Sequence, residues 1–305
     1  MRVRLLGTAA GGGFPQWNCA CVNCSLCRSD PRRAFPRTQA SAAISADGRR
    51  WFLVNASPDV RSQIEAFPPL QPPAGAVRGS GIHGVFLTTA DLDHSLGLLI
   101  LREGRRQRVF AAAPVRRALT TGLTIDPVLS HYCGLEWLEP TPELSPVLDA
   151  DGAPSGLSCL AFPLPGKPPR FQSAEGPQVG DSVGYRFVDD ETGAVLVVAA
   201  DGGGWTATLR GQVNSCDTLL LDGTFWTEDE MSATGAGSLR AGQMAHLPLS
   251  GPDGTLAQLG RTKRPRTVLI HINNTNPILR EDSAERRVVE AAGVAVGSDG
   301  DELVV

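Results

Sequence analysis

No window of the chain approaches about eighteen uninterrupted apolar residues, which excludes an ordinary membrane-spanning helix. The N-terminus, M-R-V-R-L-L-G, has no seven-residue apolar core ending at a small-residue cleavage site, so no export signal is read and a soluble, cytoplasmic protein is expected. Positive charge is not in excess either: 28 Lys and Arg against 32 Asp and Glu leave a net charge of −4. That balance gives no electrostatic footprint for nucleic acid or an anionic membrane, and the arginine clusters at Arg102 to Arg108 and Arg261 to Arg266 are expected to be solvated loop or helix ends. Internal repeats and low-complexity tracts are missing, which argues against a repeat array. What the chain does have is 305 residues, 42% hydrophobic and 20% charged, enough to bury a large core and too apolar for disorder.

Cysteine is concentrated in one place. N-C-A-C-V-N-C-S-L-C puts Cys19, Cys21, Cys24 and Cys27 within nine residues. Thiols this close satisfy disulfide geometry in few pairings, whereas thiolate–zinc bonds tolerate tight turns, so a structural zinc is favoured over disulfides. The usual four-ligand knuckle has two separated C-x-x-C pairs. A single C-x-C-x-x-C-x-x-C run can supply three ligands with a fourth from elsewhere, and Cys27 is the member least fixed by spacing. Seven cysteines, an odd number, fit a reducing compartment in which Cys133, Cys159 and Cys216 are buried thiols.

Short β-rich runs alternate with helical patterns. Strands are expected at Arg2 to Leu6, Ala40 to Ser45, Trp51 to Asn55, Gly84 to Leu87, Arg108 to Ala112, Val183 to Phe187, Val195 to Ala199, Leu219 to Leu221 and Thr267 to Ile270, several apolar enough to be buried on both faces. Helices are expected at Pro58 to Ala66 after a Ser57 cap, His94 to Arg102, Pro114 to Leu119, Glu228 to Met231, from Gln243 onward, and at Ser283 to Ala292. The class is α/β, two layers of sheet covered by helices. Pro68 to Pro73 and Pro140 to Pro177 read as long surface connections or an insertion. G-T-A-A-G-G-G, Gly7 to Gly13, lacks the Lys-Ser/Thr of a phosphate loop and reads as a tight turn after a strand.

Two stretches carry candidate chemistry. In T-T-A-D-L-D-H-S-L-G-L-L, Thr88 to Leu99, Asp93 and His94 sit where a strand gives way to a helix, a position that aims side chains into a crevice at the sheet edge. N-capping by Asp91 or Asp93 is the plainer explanation. In V-L-I-H-I-N-N-T-N-P, His271 ends an apolar strand and is followed by Asn273, Asn274 and Asn276, whose amides can orient a histidine or contact a ligand. One carboxylate and two imidazoles, Asp93, His94 and His271, make a facial set with open coordination positions, suited to oxygen-activating ferrous iron and also open to zinc.

At this point the chain resembles a known family. A strand, a D-x-D-H turn, a helix and a late strand ending in His are similar to the metallo-β-lactamase superfamily, whose H-x-H-x-D-H is here T-x-D-x-D-H with Thr89 and Asp91 at the two early His positions. Within it the chain resembles the pyrroloquinoline quinone biosynthesis protein B family, on L-G-T-A-A-G-G-G-F-P-Q-W-N-C-x-C-x-N-C (Leu6 to Cys24), N-A-S-P-D-V-R (Asn55 to Arg61), D-H-S-L-G-L-L-x-L-R-E-G (Asp93 to Gly104), L-D-G-T-F-W-x-x-D-E-M (Leu221 to Met231) and H-I-N-N-T-N-P-I-L (His271 to Leu279). The resemblance implies one αββα four-layer domain over residues 1–305, with a cysteine-rich zinc loop at residues 18–28. It implies a role in making pyrroloquinoline quinone (PQQ) from an excised Glu-Tyr pair, either as an iron-dependent oxygenase or as a carrier for the quinone or its precursor. The family's small-molecule precursor is then the partner, alongside other proteins of the pathway; oligomeric state stays open, a homodimer included.

Loss of the two early histidines removes most of the first metal site of dinuclear hydrolases and leaves the second, Asp93, His94 and His271. One metal with open positions suits oxygen activation better than two-metal hydrolysis, so a zinc phosphodiesterase or ribonuclease is disfavoured. The leading expectation is hydroxylation of the tyrosine-derived ring at Fe2+, with Zn2+ able to occupy the same ligands and Asp91 as an extra oxygen ligand or acid-base group. Asp201 lies where relatives often place a bridging aspartate; a Gly-rich turn is its alternative. Asp222 is expected to support a ligand or to hydrogen-bond the Gly223–Thr224 turn. His246 matches a position catalytic in some relatives, or closes a loop. Ser57 and Asp59 approach the pocket or cap a helix, and His83 and His131 are structural. The late loop offers Asn274, a poor zinc ligand, as the fourth side of the cysteine site, which leaves a vacancy Cys27 could fill.

Overall fold

The apolar runs pair into two seven-stranded sheets. In the computed structural model, which describes residues 1–263 and 265–305, the first holds β1 (Arg2–Gly7), β2 (Ser41–Ser45), β3 (Trp51–Val54), β4 (Ile82–Phe86), β5 (Gln107–Phe110) and β6 (Leu135–Leu138). The second holds β7 (Ser145–Leu148), β8 (Pro154–Leu164), β9 (Ser182–Asp189), β10 (Val195–Ala199), β11 (Thr218–Asp222), β12 (Arg266–Ile270) and β13 (Val294–Val296), and β14 (Glu302–Val304) returns to the first. Their orders are β14-β1-β2-β3-β4-β5-β6 and β13-β12-β11-β10-β9-β8-β7. Within each sheet four strands run parallel, β3 to β6 and β10 to β13, and the others pair antiparallel.

Period-two alternation decides which layer each side chain enters. In β3, Phe52 and Val54 point between the sheets while Trp51 and Leu53 point to the helices outside. In β11 and β12, Leu220, Val268 and Ile270 face inward, and Leu219, Leu221 and Leu269 face the other helical layer. Both faces are buried, which is why these strands read as unbroken apolar runs. Between the sheets Phe86 stacks on Phe110 with ring centres 4.1 Å apart, and buried Tyr185 donates its hydroxyl proton to the Leu87 carbonyl at 2.8 Å. Each such fully buried side chain contributes about 1.5–3 kcal/mol. The result is the αββα four-layer sandwich.

Several expected elements differ. Pro140 to Pro177 is not a plain surface connection: it contains β7 and the eleven-residue β8, a hairpin at the edge of the second sheet. Proline is tolerated there because Pro146 lies on the edge strand and Pro154 starts β8. The helix expected over His94 to Arg102 is a run of short turns, Leu92–Ser95, Gly97–Ile100 and Leu101–Glu103. Gly97 donates its N–H to the Ala56 carbonyl at 2.8 Å, and a Cβ there would lie 2.5 Å from the Ser57 carbonyl, so close packing on the loop after β3 interrupts the helix. From Gln243 onward only a single 3-10 turn, Gly242–Met244, forms. Ser57 does not cap the helix Val60–Glu65; it donates to Gln63 instead. Ser283 does cap Ala284–Ala291, accepting from Arg286 N–H. Cys159 is buried, but Cys133 and Cys216 are only half-buried. Among the described residues no helix is long and apolar enough to cross a membrane.

Candidate metal centres at the sheet edges

The carboxyl ends of parallel strands open onto one crevice, where open α/β sheets place ligands. From the first sheet the turn after β4 brings Thr88, Thr89, Asp91, Asp93 and His94. From the second, the segment after β10 brings Asp201, the end of β11 brings Asp222, Gly223 and Thr224, and the end of β12 brings His271. His271 has φ +56°, a left-handed backbone that costs a bulky residue of order 1–3 kcal/mol and persists only where neighbours over-determine it. Here Thr224 Oγ1 donates to the His271 carbonyl at 2.9 Å and Ile272 N–H donates to the Thr8 carbonyl at 2.9 Å.

Asp93, His94 and His271 converge. Asp93 Oδ2 lies 3.2 Å from His271 Nε2 and 3.6 Å from His94 Nε2. Asp201 closes on the same point, its Oδ1 3.5 Å from His271 Nε2 and its Oδ2 accepting from Thr88 Oγ1 at 3.0 Å. His94 is fully buried, its Nδ1 held by Thr89 Oγ1 at 2.9 Å, while its Nε2 is buried with no hydrogen-bond partner. A buried imidazole nitrogen without a hydrogen-bond partner beside two carboxylates fits a ligand to a divalent cation, and mixed imidazole and carboxylate donors suit zinc, iron or manganese.

Electrostatics agree. Burial works against charge on His271, but Asp201, Asp222 and Asp93 outweigh it and raise its pKa well above the ordinary value. Burial would raise Asp93, yet His94 and His271 pull it below the usual carboxylate range. A cation and a proton would compete for the same lone pair of His271 Nε2.

Asp222 and His246 sit one step away. His246 Nδ1 lies 2.9 Å from Asp222 Oδ2, and Thr224 Oγ1 touches Asp222 Oδ1, His246 Nδ1 at 3.1 Å and His271 Nδ1 at 2.9 Å. This anchoring through Nδ1 leaves both Nε2 atoms facing the crevice, the usual way a supporting shell fixes a ligand histidine. Burial opposes ionisation of Asp222, but His246 and His271 bring its pKa to about 2. His246 also joins Asp201 and His271 in a second, overlapping group with metal-ligating geometry. Asp91 joins neither group. Its carboxyl lines the cavity, pushed up by burial, with Asp93 and Asp201 adding to the rise and His94 and Lys167 opposing it.

The cysteine loop packs against the same late loop. The sulfurs of Cys19, Cys21 and Cys24 converge, and Asn274 Nδ2 points into them at 3.2, 3.7 and 3.4 Å. Burial pushes the Cys21 thiol up to about 12; the Cys21 N–H, the neighbouring thiols and Asn274 outweigh burial at Cys19 and lower it. Cys27 does not join them. On the helix Val22–Ser29 it lies one turn, about 4.5 Å, beyond Cys24 and is buried in the apolar layer under the second sheet, where burial raises its thiol pKa. The side of the three thiols that faces the late loop meets Asn274 and not Cys27.

Both centres line one cavity of about 870 Å³ that also takes in Asn273, Lys167, Arg170, Phe171 and Met231. Asn273 Nδ2 donates to Thr275 Oγ1, and Thr275 Oγ1 donates to the buried Glu230 at 2.5 Å. Sequence reasoning missed Lys167 and Arg170, which lie in the stretch taken for a surface connection, and Glu230, whose carboxylate gives no local signal. Asp59 accepts from Gln39, and His83 Nδ1 accepts from Ala150 N–H, away from the crevice.

Residues 50–272 match the beta-lactamase superfamily domain. The chain is 45% identical to coenzyme PQQ synthesis protein B of Methylococcus capsulatus, with 100% of each chain covered. The match to the same protein of Azotobacter vinelandii is 46% with 99% of each covered. The chain belongs to the coenzyme PQQ synthesis protein B family. Its fold superposes on zinc-bound PqqB from Methylobacterium extorquens with a TM-score of 0.90 at 38% identity over 100% of both chains. A diphosphatase of the PhnP family shares the fold, with a TM-score of 0.70 at 19% identity over 100% of this chain and 97% of that one. Membership of this family agrees with the expected four-layer sandwich and with metal-binding residue groups at the sheet edges.

Proposed function

We propose that the protein is a metal-dependent enzyme of coenzyme PQQ synthesis that hydroxylates the tyrosine-derived ring of a crosslinked Glu-Tyr intermediate, using oxygen and ferrous iron. The observation that carries this reading is the compact centre of Asp93, His94 and His271 with Asp201 beside them, and Thr89 positioning His94 where a dinuclear hydrolase would have a ligand. Ferrous iron on such ligands supplies the one-electron steps that a closed-shell phenol needs to react with triplet oxygen. The chain's own residues do the rest. His246 Nε2, free because Nδ1 is held by Asp222, accepts a proton from the substrate phenol or from water. Asp91, whose carboxyl pKa is raised by burial, is the group at the same cavity wall placed to return a proton.

The balance is one ring C–H converted to C–OH and the second oxygen atom released as water, with two protons and two electrons taken from an added reductant such as ascorbate. The test is anaerobic reconstitution with ferrous iron or zinc, addition of a crosslinked Glu-Tyr diamino acid with ascorbate and oxygen, and measurement of oxygen uptake and product mass. A gain of one oxygen atom with iron alone, lost in His246→Ala, supports the reading. A second reading is a carrier, favoured by a cavity of about 870 Å³, roomy enough to hold a quinone without turnover; tight binding with no mass change under either metal would select it. Zinc-dependent hydrolysis of a phosphodiester would overturn both.

A further inference from the structure

The cavity is chemically two-sided. Its lining includes the carboxylates of Asp91, Asp93 and Asp201, and also Lys167 and Arg170. Neither cationic side chain forms a hydrogen bond or ion pair among the described residues. An anionic ligand entering beside three carboxylates is repelled unless opposite charge meets it, and these two side chains are the lysine and arginine the described lining offers.

The backbone that carries them is anchored. Lys167 lies in P-G-K-P-P, where Pro165, Pro168 and Pro169 fix the backbone before the 3-10 turn Arg170–Glu175. Gly203 N–H donates to the Pro165 carbonyl at 2.8 Å. Gly166 packs so closely on Ser182 that a Cβ would lie 2.4 Å from the Ser182 Cβ, and Ser182 Oγ donates to the backbone carbonyl of Asp201. The lysine loop is thereby registered on the same turn that presents Asp201 to the metal centre. Such prior ordering reduces the entropy lost when a ligand is bound.

We propose that Lys167 and Arg170 form an anion clamp that pairs with carboxylates of an aromatic polycarboxylic acid and sets its ring beside the metal centre. Lys167 supplies a point charge and Arg170 a planar fork able to grip a carboxylate with two N–H groups. The inference rests on the proposed place in PQQ synthesis for the identity of the acid, and on the cavity for its charge.

The test is calorimetric titration of the zinc-loaded full chain with three probes: PQQ, its uncharged trimethyl ester and benzene-1,3,5-tricarboxylate. Lys167→Met and Arg170→Met should each weaken PQQ and the tricarboxylate by about tenfold or more, leaving the triester, melting temperature and metal content unchanged. PQQ bound equally well by the double variant removes the clamp and spares the functional reading. Tricarboxylate bound and then lost in the variants, with no binding of PQQ by the wild type, keeps the clamp and removes that reading. Equal loss of acids and ester, or no carboxylate bound by the wild type, overturns the clamp.

Discussion

The thiol centre and the imidazole–carboxylate centre line one cavity and share one loop, yet they are built in opposite ways. Cys19, Cys21 and Cys24 come from six consecutive residues, so a turn and the first half of a helix suffice to bring their sulfurs together. Asp93, His94, Asp201 and His271 come from both sheets and meet only when the sandwich closes. The loop from His271 to Asn276 belongs to both: His271 faces the carboxylates, and Asn274, three residues on, faces the thiols. A locally built site can stabilise the loop around it; a globally built site reports that the sheets are in register. The proposed chemistry uses the centre that exists only in the folded chain, and the local centre contacts the loop that carries one of its ligands.

His271→Ala breaks the comparison most sharply. It removes one ligand from the imidazole–carboxylate centre and nothing from the thiols, so metal analysis should show loss of the former metal with zinc retained at the cysteines. Oxygen uptake should fall at least about a hundredfold, the order lost when a metal site is dismantled. Simultaneous loss of both metals would mean that the shared loop makes them one cooperative site.

The two constructions also explain what could be read from sequence. The cysteine run is legible because its geometry is local, although spacing alone could not tell that Cys27 turns into the apolar layer, which depends on the helix phase relative to the second sheet. Strands β10 to β12 were legible from apolar runs buried on both faces, and Asp93, His94 and His271 from their places at strand ends. The β7–β8 hairpin was hidden because its prolines sit at tolerated edge positions, which look the same as loop prolines in a string of letters. Thr224 was visible only as a turn residue. Its hold on two histidines 22 and 47 residues away is a product of strand order. Lys167 was hidden for the same reason, since its link to Asp201 runs through Ser182 on a neighbouring strand.

A paired substitution sharpens the local half. Cys24→Ser removes one of the three converging sulfurs and should release the zinc, with a marked fall in melting temperature. Cys27→Ser should keep the zinc and cost only the burial of a hydroxyl in an apolar layer, about 1–3 kcal/mol. Inductively coupled plasma analysis and thermal unfolding on both variants separate the cases; zinc loss in Cys27→Ser would put that thiol back among the ligands.

A pH slope probes the shared loop through Glu230, which accepts from Thr275 Oγ1 at 2.5 Å and from Trp226 N–H at 2.6 Å. Burial raises its pKa to about 7 against the opposing hydrogen bonds of Thr275, Trp226 and Thr227. The folded state then binds a proton that the unfolded chain has released, so between the ordinary glutamate value of 4.5 and about 7 stability falls as pH rises. The full contribution is present below that window and gone above it. In metal-loaded protein, where His271 no longer titrates, this should appear as a loss of about 2–3 kcal/mol, or roughly 5 °C in Tm, between pH 5 and pH 8. Glu230→Gln mimics the neutral form and should flatten that slope while leaving both metals bound. A Gln variant with the wild-type slope would assign the pH dependence elsewhere and leave Glu230 as an anchor for Thr275 alone.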